Sequence, residues 1–295
     1  AKDEENRKAM EAARRLYYDQ CTPLEVPACD LAEEGFLSKT EREKTPAAWY
    51  CEARGIPAII AAISGARYCA DFLRGGPALV FPVVYQDQEQ QKTRISAVQG
   101  RYLFPAPAGS DRPDKKTRGR LHGVFATPGA FEQEYVIVTE APLDSLSLAV
   151  CGFPSIALLG TRYPEWLPGV IGSRRTYLAT DNDGAGDGAA QTLCDALAAN
   201  GGQVYRLKPD GVKDWNEYLC THGPAVMEAA ITAAAFPDRV PCIPRPVVDL
   251  APWLPAGALV ILSDGTRATV QRYHGPDEEH LPAGWVEVEA GDGQQ

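Results

Sequence analysis

The sequence predicts an α/β protein: a mixed α+β segment, then a parallel sheet with flanking helices, then a small β module. Three observations predict it. From 131 to 222, short hydrophobic runs alternate with helical patterns stopped by glycine, as in a parallel sheet covered by helices. Two longer runs, 77–86 and 93–104, flank the polar DQEQQ as an antiparallel hairpin. Near the end, Asp264-Gly265 joins two alternating runs, a hairpin turn signal. The 295 residues (31.9 kDa) are accordingly read as three parts: 1–130, 131–236 and 237–295.

In chain order, residues 1–20 read as a polar helix, followed by a loop with Pro23 and Pro27. Residues 46–54 read as a second helix, ended by Gly55 and Pro57. The hairpin at 77–104 comes next, then a Pro-, Gly- and charge-rich stretch, 105–120, read as a loop. EYVIVTE is a short buried strand, and APLDSLSLAVCG is a helix stopped by Gly152. PSIALLGT and RRTYLATDND are strands. GAGDGAAQTLCDALAANGG is a helix, QVYRLK a fourth strand and KDWNEYLCTHG a short helix. PAVMEAAITAAAF forms one more helix, and VPCIPRPVVDLAPWLPAG is a proline-rich linker. ALVILSDGTRATVQRY and GWVEVE supply three strands of the tail, with Trp253 and Trp285 as expected core anchors.

A composition of 45% hydrophobic and 23% charged residues excludes disorder over the whole length. The longest mostly apolar stretch, GIPAIIAAISGA from Gly55, is too short for the roughly 20 residues of a membrane span. The charged start AKDEENRKAM is not a signal peptide, and without an initiator Met the chain is expected to be a piece of a longer protein. Eight cysteines include no CxxC pair and only four His accompany them, so no zinc ribbon or finger is encoded. Reduced thiols and a cytoplasmic location are expected.

The net charge of −10 is unevenly spread. Residues 1–120 hold 19 basic and 17 acidic side chains (+2), and the rest hold 10 and 22 (−12). Within 92–120, eight basic residues stand against Asp111 and Asp114. Such a stripe suits phosphate-backbone contact, and it equally suits a solvated Lys/Arg loop. The tail is acidic after Gly275 and should repel phosphate. It holds His274 and His280 without a Cys partner, and is read as a docking or packing appendage.

Acidic residues cluster at the expected carboxyl ends of the strands, where parallel βαβ sheets place their ligands. Glu140 ends VIVTE, and Asp144 is expected one helical turn later on the same face (i, i+4). Asp181 and Asp183 end YLATDND, and Asp214 follows Lys213 after the fourth strand. Carboxylates brought that close repel one another unless a divalent cation joins them, and oxygen-only donors favour Mg²⁺ or Mn²⁺. The same positions also suit helix N-caps. Gly184, Gly186 and Ala189 satisfy the dinucleotide-binding spacing, but Asp181 and Asp183 would face the pyrophosphate and the next strand ends without a ribose-binding acid. An EF-hand loop would lack ligands at Ala185 and Thr192.

Taken together, VIVTEAPLDSLSLA, IALLGT, LATDNDGAGDGAAQTL and VKDWNEYL resemble the Toprim domain of bacterial-type primases, type IA and II topoisomerases and some nucleases. The family's Gly after the Glu is Ala141 here, and its late K-D-P-D-E block reads Lys213-Asp214-Trp215-Asn216-Glu217, similar to primases of phages and mobile elements. Upstream, WYCEARGI, GGPALVFPVVY with AVQGRYL, and DKKTRGRLHGVF resemble primase-core segments in the primase order. The resemblance implies a Rossmann-like Toprim sheet and a primase-type nucleotidyltransferase (a DNA-directed RNA polymerase) that makes RNA primers on single-stranded DNA from NTPs. It implies Glu140, Asp181 and Asp183 as catalytic Mg²⁺ or Mn²⁺ ligands, with Asp144 and Asp214 beside them. It further implies Arg101, Lys115, Lys116, Arg118, Arg120 and Lys213 as nucleotide- or template-binding cations, and a replicative helicase as a partner. A Toprim nuclease, or a non-catalytic module that binds single strands or recruits a helicase, is the alternative.

Overall fold

The computed structural model describes residues 2–24, 44–87, 92–236, 259–261, 267–273 and 286–290. They form two units: residues up to 24 with 44–236, and the three strands of the tail.

The first unit opens with helix α1 (Lys2–Arg15), which continues into a π-helical turn, Leu16–Gln20. Five strands follow in an antiparallel sheet, ordered β1 (Thr22–Pro23), β2 (Arg67–Cys69), β3 (Ala78–Asp87), β4 (Lys92–Tyr102) and β5 (Lys115–Gly119). Between β1 and β2 lie helices α2 (Pro46–Glu52) and α3 (Ala58–Ile63). The long β3–β4 hairpin is the expected one. Alternation along it builds two cores. Ala78, Val80, Val98 and Tyr102 pack against Ala13, Leu16 and Tyr17 of α1 and its π turn. Leu79, Phe81, Val83 and Ala97 face the other way, into the largest core.

Residues 115–119 are a strand rather than the expected loop. KKTRG has no hydrophobic alternation to announce it. It is an edge strand held by backbone pairing to β4, with Ala97 opposite Gly119 and Arg101 opposite Lys115. Exposed cations are usual on such an edge, because they discourage further pairing.

The second sheet is ordered β10 (Val204–Arg206), β9 (Arg175–Leu178), β7 (Tyr135–Thr139), β8 (Ile156–Ala157) and β6 (Phe125–Ala126). Its first four strands are parallel, and only the edge strand β6 is antiparallel. Every residue of β7 is buried, as a central strand covered on both faces must be. Ile137 faces the core shared with Leu79 and Phe81 of the first sheet. Val136 and Val138 face a second core with Leu193 and Leu197. Helices α4 (Pro142–Val150), α5 (Leu167–Ile171), α6 (Gly184–Ala198), α7 (Trp215–His222) and α8 (Pro224–Ala235) flank the sheet. Among the described residues no helix is long and apolar enough to cross a membrane.

The tail contributes β11 (Leu259–Ile261), β12 (Arg267–Tyr273) and β13 (Val286–Ala290), antiparallel in that order, with a bulge between Val270 and Arg272. The Asp264-Gly265 turn, Trp253, Trp285, His274, His280 and the proline-rich linker lie outside the described residues.

Candidate metal and nucleotide site

Glu140 follows β7, Asp181 and Asp183 follow β9, and Lys213 and Asp214 precede α7. The parallel sheet therefore delivers all five to its carboxyl edge. Glu140 is half-buried, and its Oε2 is buried without a hydrogen-bond partner. Burial first, then the negative charges of Asp181 and Asp183, push its carboxyl above the usual range, while Lys115 and Lys213 oppose the shift. Asp181 is also raised, by burial, with Lys213 as the main opposing influence.

The turn between β9 and α6 is built by hydrogen bonds. Asp183 caps α6, its Oδ1 accepting the Gly186 N–H at 2.9 Å. That bond, with Lys213, holds its carboxyl below the usual range. Its Oδ2 lies 3.4 Å from Lys213 Nζ, which is also 3.4 Å from Asp181 Oδ2. The Asn182 N–H donates to the Lys213 carbonyl at 2.7 Å, so the two loops are tied together.

Arg206 of β10 carries a role that its lone position in the sequence does not signal. Its guanidinium donates to the carbonyls of Leu178 (2.8 Å), Thr180 (3.0 Å), Asp181 (2.9 Å) and Leu207 (3.0 Å), and pairs with Asp187. It thereby clamps the backbone that presents Asp181.

Asp144 and Asp214 stand behind this front row. Helix α4 begins at Pro142 after an extended Ala141, so Glu140 is outside the helix and the expected shared face with Asp144 does not form. Asp144 is buried and accepts the Asn216 N–H at 3.1 Å. Burial, and then Asp214, push its carboxyl up to about 8. Asp214 caps α7 by accepting the Glu217 N–H at 2.7 Å. Asn216 is buried, its amide reaching the Arg54 carbonyl and Ser147 Oγ at 3.0 Å each. Glu217 Oε2 accepts the Lys213 N–H. Asn216 thus ties α7 to α4 and to the turn after α2, while Glu217 closes the start of α7.

The basic residues divide between the two faces of the first sheet. Arg101 and Lys115 are directly paired and share the face of α2, where Arg101 Nε donates to Tyr50 Oη at 2.8 Å. Lys115 is the one whose charge reaches Glu140. Lys116 and Arg118 pair with Gly100 and Val98 and so share the α1 face. Arg120 is exposed just beyond β5.

Among the described residues no three His, Cys, Asp or Glu side chains are already gathered as a ligand shell. The donor set still fits a hard divalent cation. Its front row is all oxygen, one oxygen is buried and unpartnered, and an exchangeable ammonium stands between the two Asp side chains.

A family profile described as Toprim-like matches residues 137–219, which run from β7 through the acids after β9 to α7. The chain carries a Toprim domain. Two solved structures share the fold of this Toprim domain together with the sheet before it. One is the Aquifex aeolicus primase (zinc-binding and RNA polymerase domains), at 19% identity and a TM-score of 0.52. The match covers 80% of this chain and 62% of that one, so the chain spans less than two thirds of that structure. The other is the RNA polymerase domain of Mycobacterium tuberculosis primase DnaG, in complex with a double-stranded DNA oligomer with a 6-nucleotide overhang. It is 16% identical with a TM-score of 0.52, and 77% of this chain covers 80% of it. A comparison with curated protein sequences returns no match.

Proposed function

We propose that the chain is a primase-type nucleotidyltransferase that copies single-stranded DNA into short RNA primers from NTPs. The observation that carries the reading is the buried, unpartnered Oε2 of Glu140 beside Asp181 and Asp183 at the carboxyl edge of a Toprim sheet. An isolated buried carboxylate oxygen is costly, and a bound cation removes that cost. In this reading Glu140, Asp181 and Asp183 hold Mg²⁺ or Mn²⁺, with Asp144 and Asp214 supporting them from behind. A cation bound there would supply Lewis-acid chemistry, lowering the pKa of the attacking 3′-hydroxyl and offsetting charge on the transferring phosphoryl group.

The chain's own residues supply the rest. Lys213 is exposed enough to turn from the Asp pair toward a triphosphate, its ammonium matching the leaving pyrophosphate. Arg101, held by Tyr50, and Lys115 offer cations to template or nucleotide phosphates on the acidic-site side of the first sheet. Arg206 keeps the Asp181 backbone still, so the metal ligand is preorganised. Residues 1–130 would then supply the basic wall, 131–236 the chemistry, and 237–295 an appendage that docks a helicase or a further part of the protein.

Incubation with a single-stranded template, Mn²⁺ and labelled NTPs tests this reading. New oligoribonucleotides are expected. A shortened template would indicate a nuclease, and retention of the template without chemistry would indicate a binding module.

A further inference from the structure

We infer a second phosphate-binding site on the opposite face of the first sheet, between α1, the 71–74 turn and β5. A cleft of about 850 Å³ opens there. Its walls carry Arg15, Arg74, Lys116 and Arg118 against one carboxylate, Asp71. All four cations are exposed. Arg15 pairs with Glu11 of its own helix. Among the described residues Arg74, Lys116 and Arg118 have no ion-pair partner. Asp71 is already engaged, accepting the Gly76 N–H. Like charges held around one cleft repel, and an anion with several negative groups relieves that repulsion.

The cleft is also shaped by unusual backbone. Leu73 and Arg74 adopt left-handed conformations (φ 50° and 58°), which non-glycine residues rarely do. The π-helical turn contributes Leu16 and Gln20 to the opposite wall. The left-handed turn presents Arg74 to the side chains of Lys116 and Arg118, which strand alternation sends to the α1 face. Cations from separate elements suit two or more adjacent phosphates, since guanidinium groups bind phosphate in bidentate fashion and Lys adds a point charge. The ligand class is a run of phosphates, from a nucleic-acid strand or from a free nucleotide. The site uses none of the carboxylates and goes beyond the proposed chemistry.

The test is binding in EDTA, so that no metal contributes. Fluorescein-labelled oligothymidylate is titrated at several KCl concentrations, and tripolyphosphate is titrated by calorimetry. Arg74→Glu combined with Lys116→Glu is expected to weaken one or both ligands tenfold or more. For the strand, the salt slope should fall by about 1.4, at about 0.7 per lost phosphate contact. Loss of strand binding alone identifies nucleic acid as the ligand; loss of tripolyphosphate binding identifies a free nucleotide. Arg74→Gln with Lys116→Gln gives the same reading should charge reversal disturb folding. Wild-type affinity for both ligands in the variant, or no binding of either by the wild type, overturns the inference. If Arg101→Glu with Lys115→Glu removes strand binding while Arg74→Glu with Lys116→Glu leaves both ligands at wild-type affinity, only the carboxylate face binds phosphates and this site is rejected while the proposed function stands.

Discussion

Replacing Gly186 by alanine should displace the Asp181 turn, whereas the same change at Gly188, two residues along the same helix, should stabilise the protein. A Cβ at 186 would lie 2.1 Å from the Asp181 carbonyl oxygen, and contacts under 3.0 Å are essentially never seen. The backbone presenting Asp181 must therefore retreat by about 0.9 Å, the difference between those distances. Overpacking of this kind costs about 1–3 kcal/mol. It also pulls the Asp181 carbonyl out of line with Arg206. A loss of about 2 kcal/mol lowers Tm by about 4–8 °C for a chain of this class. At 188 a Cβ meets nothing within 4 Å. Replacing glycine by alanine inside a helix there gains about 0.5–1 kcal/mol and raises Tm by about 2 °C. The assay is thermal unfolding in EDTA, repeated with Mn²⁺. The Mn²⁺-induced rise should be largely lost in Gly186→Ala and kept in Gly188→Ala. A Gly186→Ala protein with wild-type Tm and the full Mn²⁺ response would refute the claim that this glycine positions the Asp181 ligand.

Other substitutions separate the roles of the site's residues. Glu140→Gln and Asp181→Asn should raise Tm in EDTA, because each removes a charge that burial first, and neighbouring carboxylates second, make costly, and should lose the Mn²⁺-induced rise; a lower Tm in EDTA would count against a metal-free site that disfavours its own charges. Asp144 is raised, so its folded form favours the proton: the stability it contributes is full below about pH 4 and is lost as pH rises through about 8. Asp144→Asn in EDTA should therefore match the wild type at low pH and exceed it above pH 8 by an amount on the order of a few kcal/mol; equal pH profiles in urea melts would contradict this. Arg206→Lys cannot reach four carbonyls with one ammonium and should lower the urea midpoint by an amount worth about 2–4 kcal/mol at unchanged m-value; an unchanged midpoint would remove its clamping role. Deleting 237–295 should leave nucleotide transfer on a short template largely intact, and a folded but inactive truncation would show that the tail completes the site.

The parallel sheet and its acidic edge were legible because central strands read as unbroken hydrophobic runs. YVIVT ends directly at Glu140, and RTYL ends a short step before Asp181, so both deliver the acids that the sheet then gathers. The long hairpin was legible through alternation. What was not legible depends on contacts distant in sequence. β5 has no apolar face and exists through pairing to β4. Arg206 is one arginine at a strand end, and its partners are carbonyls of the neighbouring strand. Asp144 looked like a partner of Glu140 at helical spacing, but the helix starts two residues after Glu140 and turns Asp144 toward α7. The basic stripe read as one surface, while strand pairing divides it between two faces.

The central claim, that Glu140, Asp181 and Asp183 hold the metal for nucleotide transfer, is tested most directly by single-nucleotide addition. An RNA primer annealed to a DNA template is offered one NTP at saturating Mn²⁺, and the rate is compared between wild type, Glu140→Gln and Asp181→Asn. Extension by the wild type is expected, with a loss of about 10²-fold or more in each folded variant, the scale seen when an electrostatic contact to the transition state is removed. Near-wild-type extension by either variant would contradict it.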